Sequence, residues 1–116
     1  MDRWLPEVLA ERRAAGRIEL TLHVPAHLEC FAGHFPGAPI LPGVVQIHWA
    51  IHYIRSCRTV GDVERLENVK FFTLVLPDTE LELSLDFAAA GSTVAFAYTK
   101  RERRVSAGRI VFRDSK

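Results

Sequence analysis

The sequence predicts an α+β domain in which an antiparallel sheet wraps around one long central helix. Three features predict it: a mid-chain segment too apolar for a surface helix, four β-patterned segments at hairpin spacing after it, and one more before it. The 116 residues are read as a single domain.

Taken in order, Trp4, Leu5, Val8 and Leu9 recur at helical spacing, with Pro6 acceptable in a first turn. They predict a short amphipathic helix over about 4–15, ending near Gly16. Residues 17–24 (RIELTLHV) alternate apolar with polar, the pattern of a half-buried strand, and Pro25 ends it. Residues 26–43 (AHLECFAGHFPGAPILPG) carry three prolines and three glycines. That density predicts a loop, and Phe31, Phe35, Ile40 and Leu41 predict an ordered one. Pro42-Gly43 then opens a helix over about 43–57. Val44, Ile47, Ala50, Ile51 and Ile54 cover one side, with Trp49 and Tyr53 on another, so the helix must be enclosed. Residues 65–76, 79–88, 93–101 and 104–113 read as strands. Pro77-Asp78, Ala90-Gly91-Ser92 and the charged stretch Lys100–Arg104 separate them.

Composition narrows the function. Hydrophobic residues at 48% and charged residues at 25% are ordinary for a globular domain, and the net charge of +1 gives no polyanion argument, so no nucleic acid is implied. Cys30 and Cys57 form no metal-binding pair and no disulfide framework; both are expected as reduced, buried thiols. No apolar run approaches the roughly 20 residues of a membrane span, and the N-terminus lacks the pattern of a secretory signal. A cytoplasmic location without membrane attachment is the expectation.

The chemistry concentrates in Gly33-His34-Phe35-Pro36-Gly37-Ala38-Pro39-Ile40-Leu41-Pro42-Gly43-Val44. His34 is the one ionisable side chain in a backbone path fixed by glycines and prolines. The loop leads straight into the helix, whose first N–H groups, near Gly43 and Val44, have no partner inside the helix and carry partial positive charge. A base beside oriented N–H donors can remove a proton α to a carbonyl while the donors stabilise the enolate oxygen. A single histidine in a structured loop is more often a structural residue than a catalyst.

The string GHFPGAPILPGVVQIHWA resembles the signature of the bacterial 3-hydroxyacyl-acyl-carrier-protein dehydratases, the FabA/FabZ group. Val69-Lys70-Phe71, Val75-Leu76-Pro77-Asp78 and the segment from Val105 to Phe112 are similar to further parts of that family, so the resemblance covers most of the chain after residue 17. Pro-Gly-Val-Val-Gln-Ile-His-Trp-Ala is most similar to the small ApeI-like dehydratases of aryl-polyene and polyketide-type clusters. The resemblance implies a hotdog fold and a homodimer with active sites at the subunit interface. It also implies an acyl-carrier-protein-bound substrate and no cofactor or metal. It assigns His34 as the catalytic base and the Gly43 N–H as the donor to the thioester carbonyl, with Phe35, Val44 and His52 beside the substrate.

One position departs from the pattern. Where the family carries a helical Glu or Asp that handles the departing hydroxyl from the partner subunit, this chain carries His48; His52 stands where Gln is usual. An imidazolium can also donate a proton, since histidine ordinarily titrates at about 6.5, and two nearby imidazoles resist being charged together. His34 and His48 could thus divide the work as base and acid. The plainer alternative is that His48 only packs. A metal held by His34, His48 and His52 lacks a cysteine or carboxylate in the helix to complete it. The basic residues Lys100, Arg101, Arg103, Arg104, Arg109 and Arg113 read first as a solvated hairpin and its flank, and second as a surface for an acidic carrier protein. The expected activity is dehydration of 3-hydroxyacyl thioesters to trans-2-enoyl thioesters. The alternatives are a hotdog thioesterase or a non-catalytic subunit of a heterodimeric dehydratase.

Overall fold

The computed structural model describes residues 4–31, 39–89 and 92–114. The described strands are β1 (Glu7–Ala14), β2 (Arg17–Val24), β3 (Val63–Phe71), β4 (Thr79–Phe87), β5 (Thr93–Lys100) and β6 (Arg103–Phe112). They form one antiparallel sheet in the order β1-β2-β4-β5-β6-β3. One α-helix among the described residues, α1 (Gly43–Cys57), packs into the core that the sheet provides. The hotdog architecture expected from the sequence is the one observed.

Strand periodicity builds that core. Ile18, Leu20, Leu22 and Val24 of β2 are buried, and the register places Leu20 opposite Leu83 and Leu22 opposite Leu81 of β4. Val94, Phe96 and Tyr98 of β5 continue the layer to Val105, Ile110 and Phe112 of β6. Each fully buried side chain of this kind contributes on the order of 1.5–3 kcal/mol of transfer free energy. The helix answers with Gln46, Ala50 and Ile54, one turn apart along a single face, and with Trp49 beside them. Val44, expected on the enclosed side, is 60% exposed instead, in the first turn of α1 where it lines an open cleft.

Two boundaries differ from the sequence reading. The helix expected over about 4–15 is replaced by β1, which pairs with β2 from Glu7↔His23 to Ala14↔Arg17. The free edge of β2 offers backbone partners along its whole length, whereas a helix of that size is marginal in water. Gly16, at φ +71, makes the tight turn between the two strands, and Arg12 meets Glu19 across the pair at 3.3 Å. Every residue of β1 is exposed, so the apolar spacing of Val8 and Leu9 reflects no buried face. The strand expected over 65–76 instead runs Val63–Phe71. Its pairing with β6 shifts between Glu67 and Lys70, where Asn68 adopts φ 52, and Phe72 and Thr73 turn to share the Val105 carbonyl. Of the two thiols, Cys30 is buried as expected, while Cys57 is only half-buried at the end of α1.

Candidate active site

The start of α1 is fixed from three directions. Pro42 caps the helix in an extended conformation, with ψ 145, and its carbonyl receives the N–H groups of Val45 and Gln46 at 3.1 and 3.3 Å. One residue earlier, the Leu41 N–H donates to the Val75 carbonyl at 2.8 Å, tying the loop's exit to the segment between β3 and β4. The N–H groups of Gly43 and Val44 therefore precede the helical ladder and have no partner inside the helix. Their partial positive charge is available to a carbonyl oxygen. Gly43 is closely covered: a Cβ built there would meet the Phe71 ring, its Cζ at 2.6 Å.

A buried polar network sets how the helix sits. Gln46 is 3% exposed, and Ser106 donates its hydroxyl to the Gln46 Oε1 at 2.6 Å. The Tyr98 hydroxyl donates to the Gln46 main-chain carbonyl at 2.7 Å, and burial pushes that phenol well above its ordinary pKa, keeping it a neutral donor. Both bonds reach the same residue from the sheet, so they fix the rotation of α1 as well as its distance.

That rotation leaves Val44, His48 and His52 along one edge of the helix, each four residues from the next. They line a cleft of about 510 Å³ together with Val45 and Trp49, closed on the far side by Trp4 and Leu5. Both histidines are exposed to it, and the His52 ring meets Tyr53 edge-on at 5.0 Å. The Trp49 indole N–H donates to the Trp4 carbonyl at 2.6 Å, which holds the N-terminal segment over the helix.

The structure thus brings Val44, His48 and His52 into one cleft, and Gly43 is the first residue of the same helix. His34 and Phe35 lie outside the described residues. Among the described residues, no group of three or more His, Cys, Asp or Glu side chains is gathered to hold a metal ion. Arg101, Arg103 and Arg104 are exposed at the β5–β6 turn, where the Arg104 guanidinium stacks 4.3 Å over the Phe72 ring, and Arg109 pairs with Glu67 at 3.3 Å. Sequence reasoning missed Gln46, Tyr98, Ser106 and Trp4. Gln46 did carry a signal: it is a polar residue in phase with Ala50 and Ile54, on the face that must be buried.

Comparison with known proteins finds the chain similar to dehydratases in sequence and fold. The model of the ApeI-like family, described as ApeI dehydratase, matches residues 10–109. The 3-hydroxyacyl-acyl-carrier-protein dehydratase FabZ of Erythrobacter litoralis is 36% identical over 88 residues, covering 67% of this chain and 58% of that protein. The FabZ of Geobacter metallireducens is 34% identical over 101 residues, covering 78% of this chain and 63% of the relative. The chain therefore spans about three-fifths of the length of these curated relatives. Among solved structures, the dehydratase heterocomplex ApeI:P from Xenorhabdus doucetiae superposes with a TM-score of 0.85 at 29% identity, covering 92% of this chain and 96% of that one. An uncharacterised protein from Erwinia carotovora subsp. atroseptica gives 0.79 at 32% identity, covering 95% and 97%.

Proposed function

This chain belongs to the ApeI-like dehydratase family, and from that membership we propose that it dehydrates 3-hydroxyacyl thioesters carried on an acyl carrier protein, giving trans-2-enoyl thioesters. The observation that carries the reading is the sharing of one cleft by His48 and Val44, the second residue of α1, where the first helical N–H groups have no partner inside the helix.

In this reading the thioester carbonyl oxygen lies at the Gly43 N–H, with Val44 beside it. The His34 imidazole takes the proton from C2, and the developing enolate is stabilised by the helix donors. As the C2–C3 double bond forms, the C3–O bond breaks, and His48 supplies the proton with which the hydroxyl leaves as water. His34 ends protonated and His48 neutral, and exchange with solvent restores both. Phe35 and His52 flank the acyl group. No metal or cofactor takes part.

The site is proposed to be completed by a second copy of the chain, with His34 of one protomer meeting His48 of the other. The open edge of the sheet supports this: Leu66 of β3 and Phe71 at its end are 43% and 50% exposed, and Phe72, Leu74 and Leu76 follow at 45%, 69% and 54%. An uncovered apolar stripe on a free strand edge is a pairing surface. The carrier protein and a cytoplasmic location belong to the same proposal, with the exposed arginines of the β5–β6 turn available to an acidic partner. A second reading has its own support. His48 stands where the dehydratase pattern that the sequence resembles has a carboxylate, and a chain of similar fold occurs in a solved dehydratase heterocomplex; this chain would then serve as the non-catalytic member of a pair. A thioesterase is less well supported, because α1 carries no Asp or Glu to activate water.

One assay tests the proposal. The purified protein is given 3-hydroxyacyl carrier-protein thioesters and mass spectrometry follows the acyl group. Loss of one water supports it. Free acid would point to hydrolysis, and no reaction in the homomeric protein, with activity appearing only beside a related subunit, would favour the second reading.

A further inference from the structure

The strap formed by Trp4 and Leu5 is distant in sequence from the residues assigned to the chemistry, yet it forms part of the same cleft. It arrives there because β1 pairs with β2 from Glu7 onward, Pro6 is buried, and the Trp49 indole N–H holds the Trp4 carbonyl at 2.6 Å. Its backbone is therefore tethered, while Trp4 is 57% exposed and lines the cleft. Among the described residues, the cleft wall contains no Asp, Glu, Lys or Arg. Its apolar length suits a hydrocarbon chain and its volume falls in the range of small-ligand sites.

Position along the helix decides what the strap can sense. Trp49, the anchor of Trp4, lies six residues beyond Gly43, or about 9 Å along the axis at 1.5 Å per residue. An extended chain advances roughly 1.2 Å per bond, as the span of an extended backbone shows. A four-carbon acyl group whose carbonyl sits at Gly43 ends after roughly 4 Å, well short of the strap. An eight-carbon group spans roughly 8 Å, which brings its end within van der Waals contact of it. We infer that Trp4 is a specificity-determining residue, a tethered wall that favours acyl chains long enough to contact it over short ones. This rests on the proposed use of the cleft for the acyl group.

The test compares 3-hydroxybutanoyl and 3-hydroxyoctanoyl carrier-protein thioesters with the unaltered protein and the Trp4→Ala variant. The octanoyl-to-butanoyl ratio of kcat/KM is expected to fall about tenfold in the variant, the order of discrimination that one apolar contact supplies. Val8→Ala, on β1 but outside the cleft, is the control and is expected to keep the original ratio. An unchanged ratio in Trp4→Ala, or an equal shift in Val8→Ala, overturns the inference. Should the unaltered protein turn over neither substrate, calorimetric binding of octanoyl-pantetheine still decides. Affinity lost about tenfold in Trp4→Ala upholds the wall while the dehydratase reading falls; equal affinity removes the wall.

Discussion

Gly43→Ala separates the catalytic use of the helix start from its packing. Glycine is not required there by backbone conformation, since only Gly16 among the described glycines adopts positive φ. The constraint is the Phe71 ring, whose Cζ and Cε1 would lie 2.6 and 2.7 Å from an added Cβ. In a rigid core such overpacking costs about 1–3 kcal/mol. Phe71 is 50% exposed and can swing outward, so the cost falls to the low end of that range. Replacing glycine in a helix recovers up to about 1 kcal/mol. Net stability should therefore change by less than about 1 kcal/mol in urea denaturation. Activity should change far more. A displaced ring and a new methyl group crowd the position where the thioester oxygen must meet the N–H donors, and loss of such a donor costs on the order of a hundred- to a thousandfold in kcat. Phe71→Ala in the same chain removes the clash and should recover the stability, while the methyl still blocks the donors and activity stays low. Full dehydratase activity in Gly43→Ala, or its return in the double variant, would refute the role given to these N–H groups.

Ser106→Ala strands the buried Gln46 Oε1 and should cost about 1–3 kcal/mol, read as a fall in Tm of several degrees for a domain of this size; an unshifted Tm would mean the bond does not hold the helix. Burial raises the pKa of both Cys30 and Cys57, the latter against the opposing pull of Arg13 and Arg58. Their alkylation by iodoacetamide near pH 7 should be slower in the folded protein than in urea. Because each thiol holds its proton longer when folded, stability is full below the ordinary thiol pKa and declines as pH rises above it, where the unfolded chain ionises first. Equal labelling rates in the folded and unfolded protein would contradict this.

The core strands were legible because burial on one face imposes a period of two. The reading of residues 17–24 coincides with β2, and those of 79–88, 93–101 and 104–113 differ from β4, β5 and β6 by a residue at their ends. The N-terminus was not legible. Trp4, Leu5, Val8 and Leu9 fit a helical spacing, but the decisive influence on that segment is the unpaired edge of β2, which local sequence does not contain. The same non-locality hid the cleft. That His48 and His52 share a helix edge follows from their spacing of four, yet the opposite wall comes from Trp4, held by a hydrogen bond across 45 positions of chain. Gln46 was hidden for another reason: polar side chains are ordinarily surface residues, and only its partners on β5 and β6 make its burial favourable.

The central claim is a composite site, His34 of one protomer acting with His48 of the other, and subunit complementation tests it most directly. His34→Ala and His48→Ala are each expected to lose nearly all dehydration of a 3-hydroxyacyl carrier-protein thioester. Mixed and reassembled in equal amounts, they should regain about a quarter of the unaltered activity, since half the dimers are then mixed and each rebuilds one of its two sites. Substantial activity in His34→Ala alone, or no recovery from mixtures in which mixed dimers are demonstrably formed, would contradict the account.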